Sequence, residues 1–477
     1  MILSLLNITI CLGLVNVLIC YVLLQRVLTP VFFYWLAWVI GIGSAMLCEY
    51  WGLLPPVTDF GSSIILKSHI GCFFGSIIAS LLYVLMTGGI IKRKKSIPVW
   101  VSRLNQSNAQ RYLWKVTLFI GALSIFHFLY RVSLLGSVEL PYVATTFMSN
   151  IRYSFLFTDI GYTRYFNLLM SFVFVASTLL AVMIANNKIA NKRAIISIFI
   201  LAVIIHSMAS GGRHFILTAI FYFIVGFALI YNEIQKNTIS KVLLQFKALF
   251  KYLIVVVLVF MVIGNLRSGR DITSFEGEVV NISKEYATAA SVPAWVPSAV
   301  IEYAGVSIAA SGPMSENISE NDTYGKFTFA FIYKWLAKFG VLSSEMASID
   351  ESEFNRTEIR KTDFRIGWTQ GTALPYLIAD FGIENLILSM GILVFFLQFI
   401  FLVFLRKKLV GLFIAVHCCY ASFFLTQTIV TINGQFSIAV MLLLYAQKNI
   451  IFRQAAKTTN NKQQTTGKLS STIRQHL

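Results

Sequence analysis

Ser210-Gly211-Gly212-Arg213-His214 is the stretch whose residue types and order bear most directly on chemistry. Two glycines permit a tight turn and close backbone approach. A helix beginning just after them presents free N–H groups and a positive dipole end to an anion. Arg213 adds a planar guanidinium suited to bidentate phosphate contacts, and His214 beside it is a candidate proton acceptor. The plainer reading is a tight helical hairpin whose arginine snorkels to the interface.

A second stretch, Gly264-Asn265-Leu266-Arg267-Ser268-Gly269-Arg270-Asp271, carries two arginines one helical turn apart. Arg267 and Arg270 can point at a common anion, or simply end a helix near the headgroups. A third runs from Arg356 to Glu384: Arg365-Ile366-Gly367-Trp368, an apolar run over 372–378 too short to span, then Asp380-Phe381-Gly382. Ionisable groups at membrane depth are costly to place and default to functional candidates. Asp380 could be a general base, an arginine partner or a helix N-cap. The loop acids Asp271 and Glu276 are further candidates for the base. Arg152 and Arg164 carry weaker claims to the same cavity. His127, His206 and His417 stand singly in apolar helices and read as satisfied by neighbouring helices. With six scattered histidines and no His/carboxylate spacing, no metal site is expected.

These residues must be positioned by membrane helices. Hydrophobic residues make up 57% of the 477 and charged ones 13%, about half the roughly 25% of soluble domains. Apolar runs near the length a hydrocarbon core demands lie at 2–24, 31–54, 69–91, 113–135, 165–185, 193–210, 214–231, 249–265, 384–405, 409–428 and 434–451. The expected class is an all-α polytopic integral membrane protein of about eleven transmembrane helices with one large outer-face loop. The first run lacks a basic n-region and a small-residue cleavage site, so it reads as a retained helix. All six cysteines fall inside apolar runs, which leaves no disulfide framework and no CxxC pattern.

The net charge of +18 is a topology signal rather than a nucleic-acid footprint. Lys92, Arg93, Lys94 and Lys95 fix their loop as cytoplasmic under the positive-inside rule. Counting outward, every alternate connection is basic. The inner side collects 24 basic residues against one acid, and the outer side 15 against 20. An outside N-terminus and an inside C-terminus follow. Helices one to eight fill 1–265, the outer loop 266–383, helices nine to eleven 384–452, and a polar cytoplasmic tail, expected disordered, 453–477. Short helices are expected in the loop at 276–290 and 327–339, the latter with an aromatic face suited to the interface. There is no internal repeat and no nucleotide-binding glycine loop.

The Gly211-Gly212-Arg213 turn between two middle helices resembles the family of bacterial oligosaccharide repeat-unit polymerases, the Wzy-type O-antigen polymerases. So does the large outer loop ending in Thr372-Ala373-Leu374-Pro375-Tyr376-Leu377-Ile378-Ala379-Asp380-Phe381-Gly382 before a long apolar helix. The resemblance covers most of the chain in architecture. It implies a glycosyltransferase of the bacterial inner membrane, acting at that membrane's outer face. Undecaprenyl-diphosphate-linked oligosaccharide would be its substrate, and O-antigen or a related surface polysaccharide of the lipopolysaccharide type its product. It implies no cofactor, metal or nucleic acid, and as partners membrane lipid, a chain-length regulator and a flippase. The family role of outer-loop arginines in handling diphosphate falls on Arg213, Arg267, Arg270 and Arg365, with Gly211 and Gly212 shaping the turn. The paired arginine motifs of better-known members, at set spacings to a glycine, are not reproduced here.

Three rivals remain. An O-antigen ligase would share the donor, but ligases usually show a histidine in the large outer loop, and 268–371 has none. A lipid-carrier glycosyltransferase with an acidic first outer loop finds only Asp59 there. A transporter or flippase would be expected to show internal repeats and broken helices at the bilayer midplane.

Overall fold

In the computed structural model the described residues, which take in most of the apolar runs, form helices and connecting turns, with no strand among them. The structure describes residues 1–52, 54–88, 99–102, 104–134, 170–186, 191–210, 214–235, 298–316, 318, 323, 325–343, 372–405, 407–426 and 434–449. The expected helices at 249–265 and 276–290 and the tail at 453–477 lie outside them. In chain order the first five helices are α1 (Ile2–Leu24), α2 (Pro30–Tyr50), α3 (Asp59–Met86), α4 (Val99–Ser102) and α5 (Gln106–Leu134). Next come α6 (Met170–Ala185), α7 (Lys192–Ser210), α8 (His214–Gln235) and α9 (Ser298–Glu316). The last five are α10 (Ala330–Lys338), α11 (Ala373–Phe381), α12 (Leu386–Phe404), α13 (Leu409–Phe424) and α14 (Gly434–Gln447).

Five of these, α1, α2, α3, α5 and α12, are long and apolar enough to cross a membrane. Five further apolar helices are shorter: Ser171–Ala185, Arg193–Ala209, Phe215–Tyr231, Leu409–Phe424 and Phe436–Gln447. Two helices start earlier than hydropathy alone predicts, because their first turns are polar and capped. Thr58 accepts a hydrogen bond from the Gly61 N–H at 2.9 Å and opens α3 at Asp59. Asn105 accepts from the Asn108 N–H at 3.3 Å and opens α5 at Gln106. Hydropathy sees the lipid-crossing part of a helix, whereas the cap decides where it begins.

Pairwise contacts fix the relative directions. Thr9 meets His69, Asn16 meets Ser76 and Cys20 meets Ser80, so α1 and α3 run parallel. Gly71 and Gly75 pack on Ile387 and Gly391, and Gln398 reaches Ser80, so α3 and α12 also run parallel. The backbones there approach so closely that a methyl on Gly75 would overlap the Gly391 carbonyl oxygen. Small residues permit such contact where lipid offers helices no hydrophobic reason to associate. By contrast, Thr218 pairs with Tyr420 and Tyr222 with His417, which sets α8 antiparallel to α13.

Two loop elements are packed into this frame. Helix α9, which hydropathy did not single out, lies against α2 through Gly41, Ala45, Gly305 and Ile308, and its Gly312 touches Gly61. Helix α11 is buried from Ala373 to Asp380. Thr372 caps it, accepting from the Leu374 N–H, and meets Ser311 of α9 at 2.8 Å. The Ala373 N–H donates to the Leu425 carbonyl. Gly382, at φ 80°, turns the chain from α11 into α12 in a conformation that glycine adopts without strain. Helix α10 occupies most of the expected 327–339, and Phe329, Ile332, Trp335 and Phe339 on and around it are exposed.

Candidate functional site

Helices α5 and α7 meet along a seam that is apolar at one end and polar at the other. On α5 the buried positions run Leu113, Thr117, Ile120, Ser124, His127 and Arg131. The three- and four-residue steps among them keep one face inward. On α7 they run Phe199, Ala202, Val203, His206 and Ser207. The two histidine rings face each other with centroids 5.3 Å apart, and Phe215 at the start of α8 meets His206 edge-on at 4.9 Å. Arg131, one turn beyond His127, is 0% exposed and is among the largest fully buried side chains. One guanidinium and two imidazoles are thus gathered at the end of the seam. His206 stands one turn before Ser210, where α7 stops, and α8 resumes at His214.

This cluster lies at the same end of the bundle as Asp380. The start of α8 is beside the end of α13, through Thr218 and Tyr420 at 3.0 Å. The end of α13 holds the start of α11 through Leu425. Helix α11 in turn leads directly into α12, which runs parallel to α3 and begins beside Gly71 in the first half of that helix. A guanidinium with adjacent imidazoles in a dry setting supplies directed N–H donors and positive charge, the chemistry that recognises phosphate oxygens.

Asp380 sits in the last turn of α11, 3% exposed. Its Oδ1 accepts from the Thr323 hydroxyl at 2.6 Å and the Phe327 N–H at 3.2 Å. Its Oδ2 accepts from the Thr328 N–H at 2.8 Å and the Thr328 hydroxyl at 2.7 Å. Four donors on two oxygens tie the turn before α10 to α11. Of the three roles expected for Asp380, capping of backbone N–H groups is the one these contacts display, though on α10's approach rather than on α12, whose N-cap is Asn385. With its lone-pair directions taken up, Asp380 acts as a positioning residue in this structure.

Gly211, Gly212, Arg213, Arg267, Arg270 and Arg365 lie outside the described residues, as do Arg152, Arg164, Asp271 and Glu276. His214 opens α8, and its side chain also lies outside them. His127 and His206, which sequence treats as separate buried histidines, are brought together. Sequence reasoning missed Arg131, although an arginine four residues after a histidine in an apolar helix was a legible signal. His417 is held by the Tyr222 hydroxyl. His69, not singled out in sequence, is bonded on both ring nitrogens, to Thr9 and Tyr34 at 3.1 Å each. Among the described residues no three His, Cys, Asp or Glu side chains gather as a metal-ligand set.

Comparison of the chain with protein-family models, with characterised proteins and with solved structures gave no match.

Proposed function

We propose that this chain is a membrane glycosyltransferase that joins oligosaccharide repeat units carried on undecaprenyl diphosphate into a surface polysaccharide. The observation that carries this reading is the buried gathering of Arg131, His127 and His206 near the end of α7 and the start of α8. An arginine at membrane depth is rare and by default a functional candidate, and a lipid-linked diphosphate brings its charge to headgroup depth. The antiparallel and parallel helix pairings support it too, since α1, α3 and α12 run together as the alternation of basic loops requires. On this reading the cluster's end of the bundle is the outer face of the bacterial inner membrane.

The reaction follows from the charges. A hydroxyl of the acceptor unit attacks the anomeric carbon of the donor, and the bond to the diphosphate breaks with its electron pair on oxygen. The acceptor proton passes to a nearby base or water. Fixed guanidinium and imidazole N–H groups stabilise the charge that develops on the leaving diphosphate. Arg131 and Arg213, with Arg267, Arg270 and Arg365 from the outer loop, are the candidate donors.

The test is direct. Purified protein in lipid nanodiscs, given lipid-diphosphate-linked repeat units, should release one undecaprenyl diphosphate for each glycosidic bond formed. Uptake or flipping of the lipid without any bond formation would instead favour a transporter, and transfer only onto a lipid A core would favour a ligase.

A further inference from the structure

Beside Asp380 a cavity of about 510 Å³ opens where α3, α9, α11 and α12 converge. Its lining includes Phe60, Ser315, Glu316, Phe381, Glu384 and Asn385. The volume lies within the roughly 300–1,000 Å³ of sites for small organic ligands, enough for a short saccharide. Glu316 and Glu384 are exposed to the space, while Ser315 is 3% exposed and its hydroxyl oxygen has no hydrogen-bond partner among the described residues. A buried hydroxyl left so is unfavourable, a deficit that a polar occupant removes.

We propose that this cavity is the subsite for the neutral acceptor glycan, an inference that rests on the glycosyltransfer reading above. Its chemistry is the complement of the Arg131 cluster. Two carboxylates repel a diphosphate but accept hydrogen bonds from sugar hydroxyls. The aromatic walls of Phe60 and Phe381 suit the C–H faces of a pyranose ring, and Ser315 and Asn385 add polar contacts. The walls are also rigid. Asp380 fixes the turn carrying Phe327 and Thr328, Asn385 donates to the Phe381 carbonyl at 2.9 Å, and Thr58 of α3 reaches Glu316 at 3.5 Å. A site of opposite sign to the diphosphate cluster, at the same end of the bundle, separates what the enzyme must hold apart: the diphosphate of the donor and the sugar hydroxyls of the acceptor.

The probe is the free repeat-unit oligosaccharide, released by mild acid from the host's own lipid-linked pool. Its binding to full-length protein in nanodiscs is measured by saturation-transfer NMR and calorimetry. Wild type should bind it. The double variant Glu316→Gln/Glu384→Gln and Phe381→Ala should each bind at least tenfold more weakly, and Lys407→Ala at the opposite end equally well. Because both glutamates are exposed, their variants should keep the wild-type elution volume and Tm. Equal binding by wild type and the double glutamate variant would overturn the assignment, as would no binding by wild type. Binding that appears only with added Ca²⁺ and vanishes with chelator would give the carboxylates to a cation instead. Arg131-dependent binding of undecaprenyl diphosphate, measured in parallel, tells apart failure of this subsite from failure of the glycosyltransfer reading.

Discussion

His127 of α5 and His206 of α7 face each other across a buried seam, ring centroids 5.3 Å apart, with Arg131 one turn further along the same face as His127. If this cluster stabilises charge on a leaving diphosphate, Arg131→Gln should lower kcat/KM by about 10²–10³, roughly 3–4 kcal/mol of transition-state stabilisation. Steady-state rates on lipid-linked repeat units check this. A fall of less than about threefold would make Arg131 a packing residue.

Not every buried histidine should behave so. His69 is bonded by Thr9 and Tyr34 and boxed by Trp35 and Trp38. His69→Leu leaves two polar groups poorly matched and should cost about 1–3 kcal/mol of stability. Its specific activity per folded molecule should stay at the wild-type level, while its Tm in detergent falls.

Asp380 separates two roles by a single conservative change. Asp380→Asn keeps the shape but turns one acceptor oxygen into an amide donor facing Thr328. As a clamp it should lose about 2–4 kcal/mol of stability, with activity surviving below the new Tm. Unchanged Tm with activity abolished would make Asp380 the proton acceptor.

Close backbone contact makes the α3–α12 crossing sensitive to bulk. Gly75→Leu drives a side chain into the Gly391 carbonyl and should destabilise by about 1–3 kcal/mol or more. Gly43→Leu is the control, since nothing lies within 4 Å of a Cβ there. Equal Tm for the two would refute the packing described here.

Much of the scaffold was legible because the bilayer imposes length and apolarity on each crossing segment, and α1, α2, α3, α5 and α12 show it. Helix starts were less legible: the polar first turns of α3 and α5 are set by Thr58 and Asn105, which hydropathy averages away. Helix α9 escaped notice because its Gly- and Ser-rich sequence, with Glu302 and Pro313, is only weakly apolar, and its burial comes from fitting small residues against α2. The site was legible in part. Residue type marks Asp380, while Arg213 lies outside the described residues; which histidines meet is a property of helix pairing, and no local pattern joins His127 to His206 across 79 positions. Nor could spacing show that Asp380 spends both oxygens on Thr323, Phe327 and Thr328.

The central claim, polymerisation through a cationic diphosphate site, is tested most directly by complementation. A polymerase-null strain making the cognate repeat unit receives wild type, Arg213→Ala or Arg131→Gln at matched membrane levels, and its surface polysaccharide is resolved on a gel. Wild type should restore a ladder of long chains, and both variants should leave a single capped repeat unit. A full ladder from both variants would contradict the site, and no ladder from wild type would contradict the function.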